Sequence, residues 1–386
     1  MPISDKSGIG TFFAINKPAG EVNIARKLVI AGGGTGGHLF PGIAIAREFI
    51  SRKSDNRVLF ASTGNSFEKS VLAKAGFQLA EVVAAGIKGM GPWHQLISLV
   101  RIPIGILGSI RILKNFNPDL VLGVGSYAAG PVVMAAWLMG KKIVLHEQNL
   151  LPGITNRLLS RFADRIYVSF EDSRDRFDSK KVRLTGNPVR EEILQHQKQS
   201  PARAPGPDHI FTVLVIGGSQ GAHGINMAVI ETLAHLREKH RYRFLHQTGS
   251  ADEVEVKAAY DKYGIPSMVK SFFQDMDRRY QAADLIICRA GATTVAEVTA
   301  LGKSVIFIPF PFAADDHQTL NARALVENGA AEMILQKDLT GRVLSQKIEY
   351  YAANREALGQ MASKAASFGK PRAAREIVDD IYELIN

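Results

Sequence analysis

The chain has 386 residues, room for about two domains of one to two hundred residues each, which excludes a single small module. Lysine and arginine number 47 against 37 aspartates and glutamates, a formal charge of +10 that favours anionic partners: phosphates, nucleic acid or acidic lipid. A content of 46% hydrophobic and 22% charged residues excludes wholesale disorder. The single Cys288 excludes an internal disulfide and fits a reducing compartment.

Residues 1–23 lack an apolar core and a small-residue cleavage site, so they do not resemble a signal peptide and read as a mobile arm. From Lys27 onward, short β-branched runs alternate with segments of helical period, the pattern of an α/β fold with parallel sheets covered by helices. The first series is KLVIAG (from Lys27), RVLFAS (from Arg57), DLVLGVG (from Asp119), KIVLHE (from Lys142) and RIYVSF (from Arg165). The longest apolar runs, 102–110 and 131–140, fall short of the roughly 18 to 20 residues that span a bilayer. A stretch rich in Pro, Gln, Ala and Gly before Ile210 predicts an interdomain linker. After it come TVLVIGG (from Thr212), YRFLHQTG (from Tyr242), DLIICR (from Asp284) and SVIFIPF (from Ser304). The expected division is an arm over 1–23, a first α/β domain over 24–188, a second over 189–369, and a closing amphipathic helix over 370–386, which the family resemblance given below places on the first.

Three glycine turns follow strands. Gly32, Gly34 and Gly37 fit G-x-G-x-x-G between a strand and a helix, where backbone N–H groups and the helix dipole favour an anion; the alternative is a tight turn with no ligand. GVGSYAAGP (from Gly123) and GGSQGA (from Gly217) repeat the arrangement, and turns of this kind in two domains predict a shared cleft. The strand of Arg57 ends Ala61-Ser62-Thr63, without the carboxylate that would hold a nicotinamide ribose. His38 opens the helix after the first turn, where the dipole favours a neutral imidazole that can accept a proton or simply cap the turn. His146, Glu147 and Asn149 end another strand and either face the cleft or bond within their loop. Arg190 suits a diphosphate in a two-pronged geometry or is a surface cation. Glu297, with Thr293 and Thr294 at a helix start, accepts from ribose hydroxyls or opposes the dipole. Gln318 and Asn321 at i, i+3 suit sugar hydroxyls. Asp315 and Asp316 are adjacent loop carboxylates, better suited to solvent or capping than to a metal.

Taken in order, GGGTGGHLFPG, GVGSYAAGP, HEQN, GNPVR, GGSQGA, CRAGATTVAE and HQTLNA resemble one family: the bacterial cell-wall N-acetylglucosaminyltransferases of glycosyltransferase family 28, the MurG family. The resemblance runs from about Arg26 to the C-terminus. It implies a GT-B fold, two Rossmann-like doubly wound domains facing a cleft. It also implies inverting transfer of GlcNAc from UDP-N-acetylglucosamine (UDP-GlcNAc) to the 4-hydroxyl of undecaprenyl-pyrophosphoryl-MurNAc-pentapeptide (lipid I), giving lipid II, with no bound metal or other cofactor. For the site it implies Phe273 backbone at uracil, Glu297 within the 292–297 segment (Ala292, Thr293, Thr294, Val295, Ala296) at ribose, and Ser219 with Arg190 at the diphosphate. Gln318 and Asn149 would address GlcNAc, and Thr35, Gly36 and Gly37 the donor sugar across the cleft. Gly125, Ser126 and Tyr127 would face the acceptor, and His38 would be the general base. Ser126 departs from the glycine usual before the tyrosine. The implied place is the cytoplasmic face of the bacterial inner membrane, bound peripherally, with other cell-wall synthesis proteins as further partners.

Trp93, Leu96, Ile97, Val100, Ile104 and Leu107, interleaved with Lys88, Arg101, Arg111 and Lys114, suit contact with an anionic leaflet or a buried core. Of these, Trp93, Leu96, Ile97 and Arg101 are the expected membrane contacts. Trp137 precedes Lys141 and Lys142 in the same manner. A diacylglycerol glycosyltransferase and a non-catalytic nucleotide-sugar or nucleic-acid binding module are the competing readings. No interleaved aromatic and basic stacking motif supports nucleic acid as a partner.

Overall fold

The computed structural model describes residues 25–84, 92–195, 209–218 and 221–386, and side chains within 92–101 fall outside that description. Strands β1 (Lys27–Ala31), β2 (Arg57–Ser62), β3 (Gln78–Glu81), β4 (Leu120–Gly123), β5 (Lys142–Glu147), β6 (Arg165–Val168) and β7 (Val182–Leu184) form one sheet in the order β3-β2-β1-β4-β5-β6-β7. Strands β8 (Phe211–Ile216), β9 (Tyr242–Gln247), β10 (Ser267–Lys270), β11 (Leu285–Cys288), β12 (Ser304–Phe307) and β13 (Glu332–Met333) form a second, in the order β10-β9-β8-β11-β12-β13. All pairings are parallel. Parallel sheets are covered on both faces, so central strands are apolar at every position. Leu28 to Ala31 of β1 and Val213 to Val215 of β8 are fully buried, with apolar clusters on either side of each sheet.

In the first half the helices are α1 (Gly36–Ser51), α2 (Ser66–Ala75), α3 (Pro92–Phe116), α4 (Ala129–Leu138), α5 (Ile154–Leu159) and α6 (Glu191–Gln195). In the second they are α7 (His223–His235), α8 (Glu253–Tyr263), α9 (Met276–Ala282), α10 (Ala292–Ala300), α11 (His317–Val326), α12 (Gly341–Ala353), α13 (Arg355–Phe368) and α14 (Ala373–Ile385). In both sheets the strand order reverses direction once, between β1 and β4 and between β8 and β11. Such a switch point splays the loops at the strands' carboxyl ends and opens a crevice for a ligand. The glycine turns after β1, β4 and β8, and the Ala290–Gly291 turn after β11, lie at these two points.

The chain returns to the first sheet at its end. On α14 the fully buried Ile377, Val378 and Ile381 join the cluster of Leu28, Ile30 and Phe49. At the margin of that contact Tyr167 donates to Asp380 at 2.8 Å, and Arg52 pairs with Asp379 at 2.6 Å. Val189 and Ile193 sit instead in a core of the second sheet, so the chain passes between the two bodies twice. Ile381→Ala is expected to lower unfolding free energy by about 2 to 4 kcal/mol through lost burial and a residual cavity. Chemical denaturation followed by fluorescence checks this, and an unchanged midpoint would mean that α14 contributes little to the first body.

Candidate active site

The first glycine turn is shaped by two neighbours. Gly32 has φ 117°, and a β-carbon there would strike the carbonyl of Gly125. The two switch-point turns therefore touch backbone to backbone, which only glycine permits. Beneath them the buried Glu68 accepts from Gly34 N–H, from the Ser62 hydroxyl and, at 3.0 Å, from Asn65 N–H. Asn65 and Glu68 also form a capping box on α2, so one carboxylate ties the turn after β1 to the turn after β2.

Ser126, where the related motif has glycine, adopts φ 64°. A left-handed residue with a β-carbon costs about 1 to 2 kcal/mol. Its hydroxyl offsets this by accepting from Gly33 N–H and Ala128 N–H, both at 3.3 Å, which joins the two glycine turns. Gly125, at φ 92°, lies against the imidazole of His38; a β-carbon would fall 3.0 Å from Nδ1. The His38 ring stands in the first turn of α1, half-buried, with Nδ1 3.0 Å from both the Val124 carbonyl and Gln148 Oε1. Glu147 is buried and accepts from Asn149 N–H, Gly153 N–H and Asn156 Nδ2 at 2.9 to 3.1 Å. It organises the 149–156 loop from within.

Across the cleft, α10 begins at Ala292 after Gly291, and Thr293 donates to the Gly37 carbonyl at 3.2 Å. The N-terminal turns of α1 and α10 thus meet, one from each sheet. Arg190 bonds Glu297 Oε1 through Nε and Nη2 at 3.2 and 2.9 Å, and Tyr280 donates to Oε2 at 2.8 Å. Burial opposes the Arg190 charge, but Glu297 outweighs it and holds the guanidinium above its ordinary value. Burial, reinforced by Glu297, pushes the Tyr280 phenol well up, so it stays a donor. The guanidinium also lies 4.6 Å from the Phe40 ring centre on α1, a cation–π contact between the two bodies.

The glycine turn after β8 rests on a buried network. His246 Nε2 is 3.0 Å from Asn226 Oδ1, and Asn226 Nδ2 donates to Asp252 and to the Thr248 carbonyl. Gln247 bridges the Gly218 carbonyl and Phe273 N–H at 2.9 Å each. The Phe273 N–H is therefore already paired within the chain. Ser219 lies outside the described residues.

Gln318 sits at the start of α11, its Oε1 accepting from Phe310 N–H at 3.0 Å. Asn321, expected to address sugar hydroxyls, is instead fully buried. Its Oδ1 accepts from Leu150 N–H at 3.0 Å, while Nδ2 reaches Asn149 Oδ1 and the Ala290 carbonyl, both at 3.2 Å. The i, i+3 pattern put both amides on one helix, but the body-to-body joint captured one of them.

A cavity of about 890 Å³ opens beside His38, with Tyr127, Met134, Leu151, Ile154 and Phe162 among its mostly apolar walls. Gly125, Ser126 and Asn149 line it too, and Asp315 and His317 reach it from the second body. The expected membrane contacts Trp93, Leu96, Ile97 and Arg101 lie outside the residues whose side chains are described. Further along α3, Ile104 and Leu107 are exposed, as are Trp137 and Leu138 on α4 and Leu158 on α5. Among the described residues no helix is long and apolar enough to cross a membrane.

Sequence reading missed Glu68, Gln148 and the joint made by Asn321. Only Glu68 carried a local signal, the Asn-x-x-Glu capping box; the partners of the other two are distant in the chain.

Two Rossmann-like bodies with switch-point turns facing one cleft define the architecture of GT-B glycosyltransferases, and the solved structures of similar shape agree. The crystal structure of Acinetobacter baumannii MurG superposes with a TM-score of 0.74 at 31% identity, over 93% of this chain and 99% of that one. The glycosyltransferase family 28 N-terminal domain matches residues 28–168, and the family's C-terminal domain matches residues 212–377. A relative from Syntrophus aciditrophicus, named UDP-N-acetylglucosamine--N-acetylmuramyl-(pentapeptide) pyrophosphoryl-undecaprenol N-acetylglucosamine transferase, is 47% identical over 93% of this chain and 99% of its own. A relative from Geobacter sulfurreducens with the same name is 48% identical over 92% of this chain and 98% of its own. This chain belongs to glycosyltransferase family 28.

Two predictions follow from this geometry. Ser126→Ala keeps the left-handed strain and loses both hydrogen bonds, so it should destabilise by about 1 to 2 kcal/mol. Ser126→Gly loses the bonds and the strain together and should stay within about 1 kcal/mol of the parent in urea unfolding. The second concerns acid. Burial lowers His146 from 6.5 to about 4 and His246 from 6.5 to about 3. Both stay neutral in the folded chain, while unfolded histidines take up protons below about pH 6.5. Their contribution is complete above pH 6.5 and is lost as pH falls toward 4 and then 3. Unfolding midpoints should decline through that window, and His246→Gln should flatten the decline; a flat wild-type profile from pH 6.5 to 4 would contradict the burial argument.

Proposed function

We propose that this chain transfers GlcNAc from UDP-GlcNAc to the 4-hydroxyl of undecaprenyl-pyrophosphoryl-MurNAc-pentapeptide, inverting the anomeric carbon to form a β-1,4 link. The observation that carries the reading is the meeting of the α1 and α10 N-termini at Thr293 and Gly37, in a chain whose near-full-length relatives bear the name of that activity. Two converging helix N-termini suit a diphosphate that gains charge as it leaves.

On the donor side, the free N–H groups over Ala292, Thr293 and Thr294, with Val295 and Ala296 behind them, frame the nucleotide beside Glu297. Glu297 keeps acceptor capacity for ribose hydroxyls, since a carboxylate offers about four lone-pair sites. Arg190, already fixed against Glu297 and Phe40, faces the diphosphate with Ser219. The Phe273 carbonyl suits a uracil N–H, and Gln318, Asn149, Thr35, Gly36 and Gly37 surround the sugar. On the acceptor side, Gly125, Ser126 and Tyr127 border the cavity that His38 faces. His38 takes the hydroxyl proton on Nε2 while the oxygen attacks the anomeric carbon. The bond from that carbon to the phosphate oxygen breaks, and UDP leaves with the electron pair on the opposite face.

Work on a prenyl-linked acceptor belongs at a bilayer surface. The exposed Ile104, Leu107, Trp137 and Leu138 suit peripheral contact with an anionic leaflet on the cytoplasmic side, and other wall-synthesis proteins can meet the enzyme there.

UDP release by purified protein given UDP-GlcNAc should depend on the lipid-linked acceptor, persist in chelator and yield a β-1,4 product. Release that ignores the acceptor would send the acceptor assignment elsewhere. His38→Ala should lower kcat by about 10² to 10⁴-fold with little change in KM for UDP-GlcNAc; near-normal turnover would remove His38 as the base. Leu107→Ser with Trp137→Ser should weaken sedimentation with anionic vesicles while sparing turnover of a short-chain soluble acceptor, and unchanged sedimentation would place membrane contact on another face.

A further inference from the structure

Behind His38 lies a hydrogen-bond chain that no functional role yet explains. Both atoms within reach of His38 Nδ1 are oxygens, the Val124 carbonyl and Gln148 Oε1, each at 3.0 Å. An oxygen pair of this kind only accepts, so Nδ1 carries hydrogen, and in the neutral ring Nε2 is the bare nitrogen. The Gln148 orientation is fixed by its other end. Its Nε2 lies 2.8 Å from the Val124 carbonyl and 3.0 Å from His146 Nδ1; the reversed amide would set oxygen against oxygen at the first contact. His146 Nδ1 is therefore an acceptor, and its Nε2–H points to the Gly186 carbonyl at 3.3 Å. Gln148 is 1% exposed and His146 0%, and burial keeps His146 neutral, with its pKa lowered to about 4. A protonated His146 would present N–H to N–H and turn the amide around.

We infer that Gln148, held in place by His146, is the positioning residue that fixes His38 with Nδ1–H inward and Nε2 bare toward the acceptor cavity. The inference rests on the reading of His38 as base and deepens it. Every donor in the chain points the same way, from His38 through Gln148 and His146 to Gly186, so the dipoles align and reinforce one another. When Nε2 gains the acceptor proton, the positive ring donates through Nδ1 to an amide oxygen already aimed at it, and a hydrogen bond to a charged group is the stronger kind. Gln148 thus does with a neutral amide what a buried carboxylate does in a Ser-His-Asp triad. Other titratable groups around the ring are Glu147 and His146 from the end of β5, Tyr127 on the same cavity wall, Asp315 and His317 across the cavity, and Glu68 beneath the first glycine turn. Glu147 and Glu68 are each engaged by three or more donors, which leaves Gln148 as the neutral side chain that contacts Nδ1.

The test uses the full chain with ¹⁵N-labelled histidine, His38 being assigned by the signal lost in His38→Gln. Wild-type protein should show hydrogen on Nδ1 of the neutral His38 ring; hydrogen on Nε2 overturns the proposal. Gln148→Leu should lower kcat by about 10 to 100-fold, leave KM for UDP-GlcNAc within about twofold, and move the acidic limb of the kcat profile to lower pH. Gln148→Glu restores an acceptor to Nδ1 and should move that limb upward by about one pH unit. A structural role alone would lower both variants without shifting the limb in opposite directions, and that result overturns the proposal. If His38→Ala keeps its turnover, the base reading fails separately, and the ring-nitrogen signals of wild type and Gln148→Leu still decide whether Gln148 holds the ring.

Discussion

The contact between Thr293 and the Gly37 carbonyl is small, but the rest of the active cleft depends on what it implies. It brings the N-terminal turns of α1 and α10 together, and each such terminus carries roughly half a positive charge. Two like ends repel unless something negative lies between or beside them. The joints that close the bodies are accordingly away from those ends or free of net charge. Asn321 bonds Asn149 and Leu150 through a neutral amide, and Arg190 is neutralised by Glu297 and stacks on Phe40. The site is thus built to gain from an anion.

Three buried glutamates show how the loops are held. Glu68 fixes the turn after β1, Glu147 the loop after β5, and Glu297 the pair of Arg190 and Tyr280. Each is surrounded by donors, so its lone pairs are committed to holding neighbouring groups in place. They organise backbone and cation while leaving proton transfer to another group. On the proposed reading His38 is that group: it is half-buried, opens a helix, and borders the apolar cavity.

What the sequence made legible follows from where its signals are local. The nine apolar runs with turn residues after them mark nine strands, all of them interior to the sheets. The four strands without such a run, β3, β7, β10 and β13, are the four sheet edges. Edge strands are short and half-exposed, so QLAE, VRL, SMVK and EM carry no continuous apolar pattern. The same division holds in the site. Glycine turns and the cap before α10 are contiguous in sequence and could be read. The Gln148 contact with His38 spans 110 residues and the Asn321 contact with Leu150 spans 171, and no local spacing encodes either. Ser126 shows the opposite case: a departure from the expected glycine whose hydroxyl replaces conformational freedom with two hydrogen bonds to the turns it joins.

The two halves of the cleft solve opposite electrostatic problems. A departing diphosphate needs positive potential, and the donor side gives it through helix ends, with the paired Arg190 and Glu297 beside them. A neutral hydroxyl needs a base that does not repel that diphosphate. A carboxylate acting as that base would add to the negative charge that Glu147 and Asp315 already bring to the cavity wall, in an environment where its repulsion of the leaving group is poorly screened. An imidazole avoids this, being neutral before the reaction and positive after it, so its charge grows in step with the leaving group's. Supporting it with a carboxylate would restore the unwanted charge one residue further back. The uncharged sequence of Gln148, His146 and the Gly186 carbonyl holds the ring without adding one, and the apolar cavity walls keep the new ion pair in a medium where its attraction is strong.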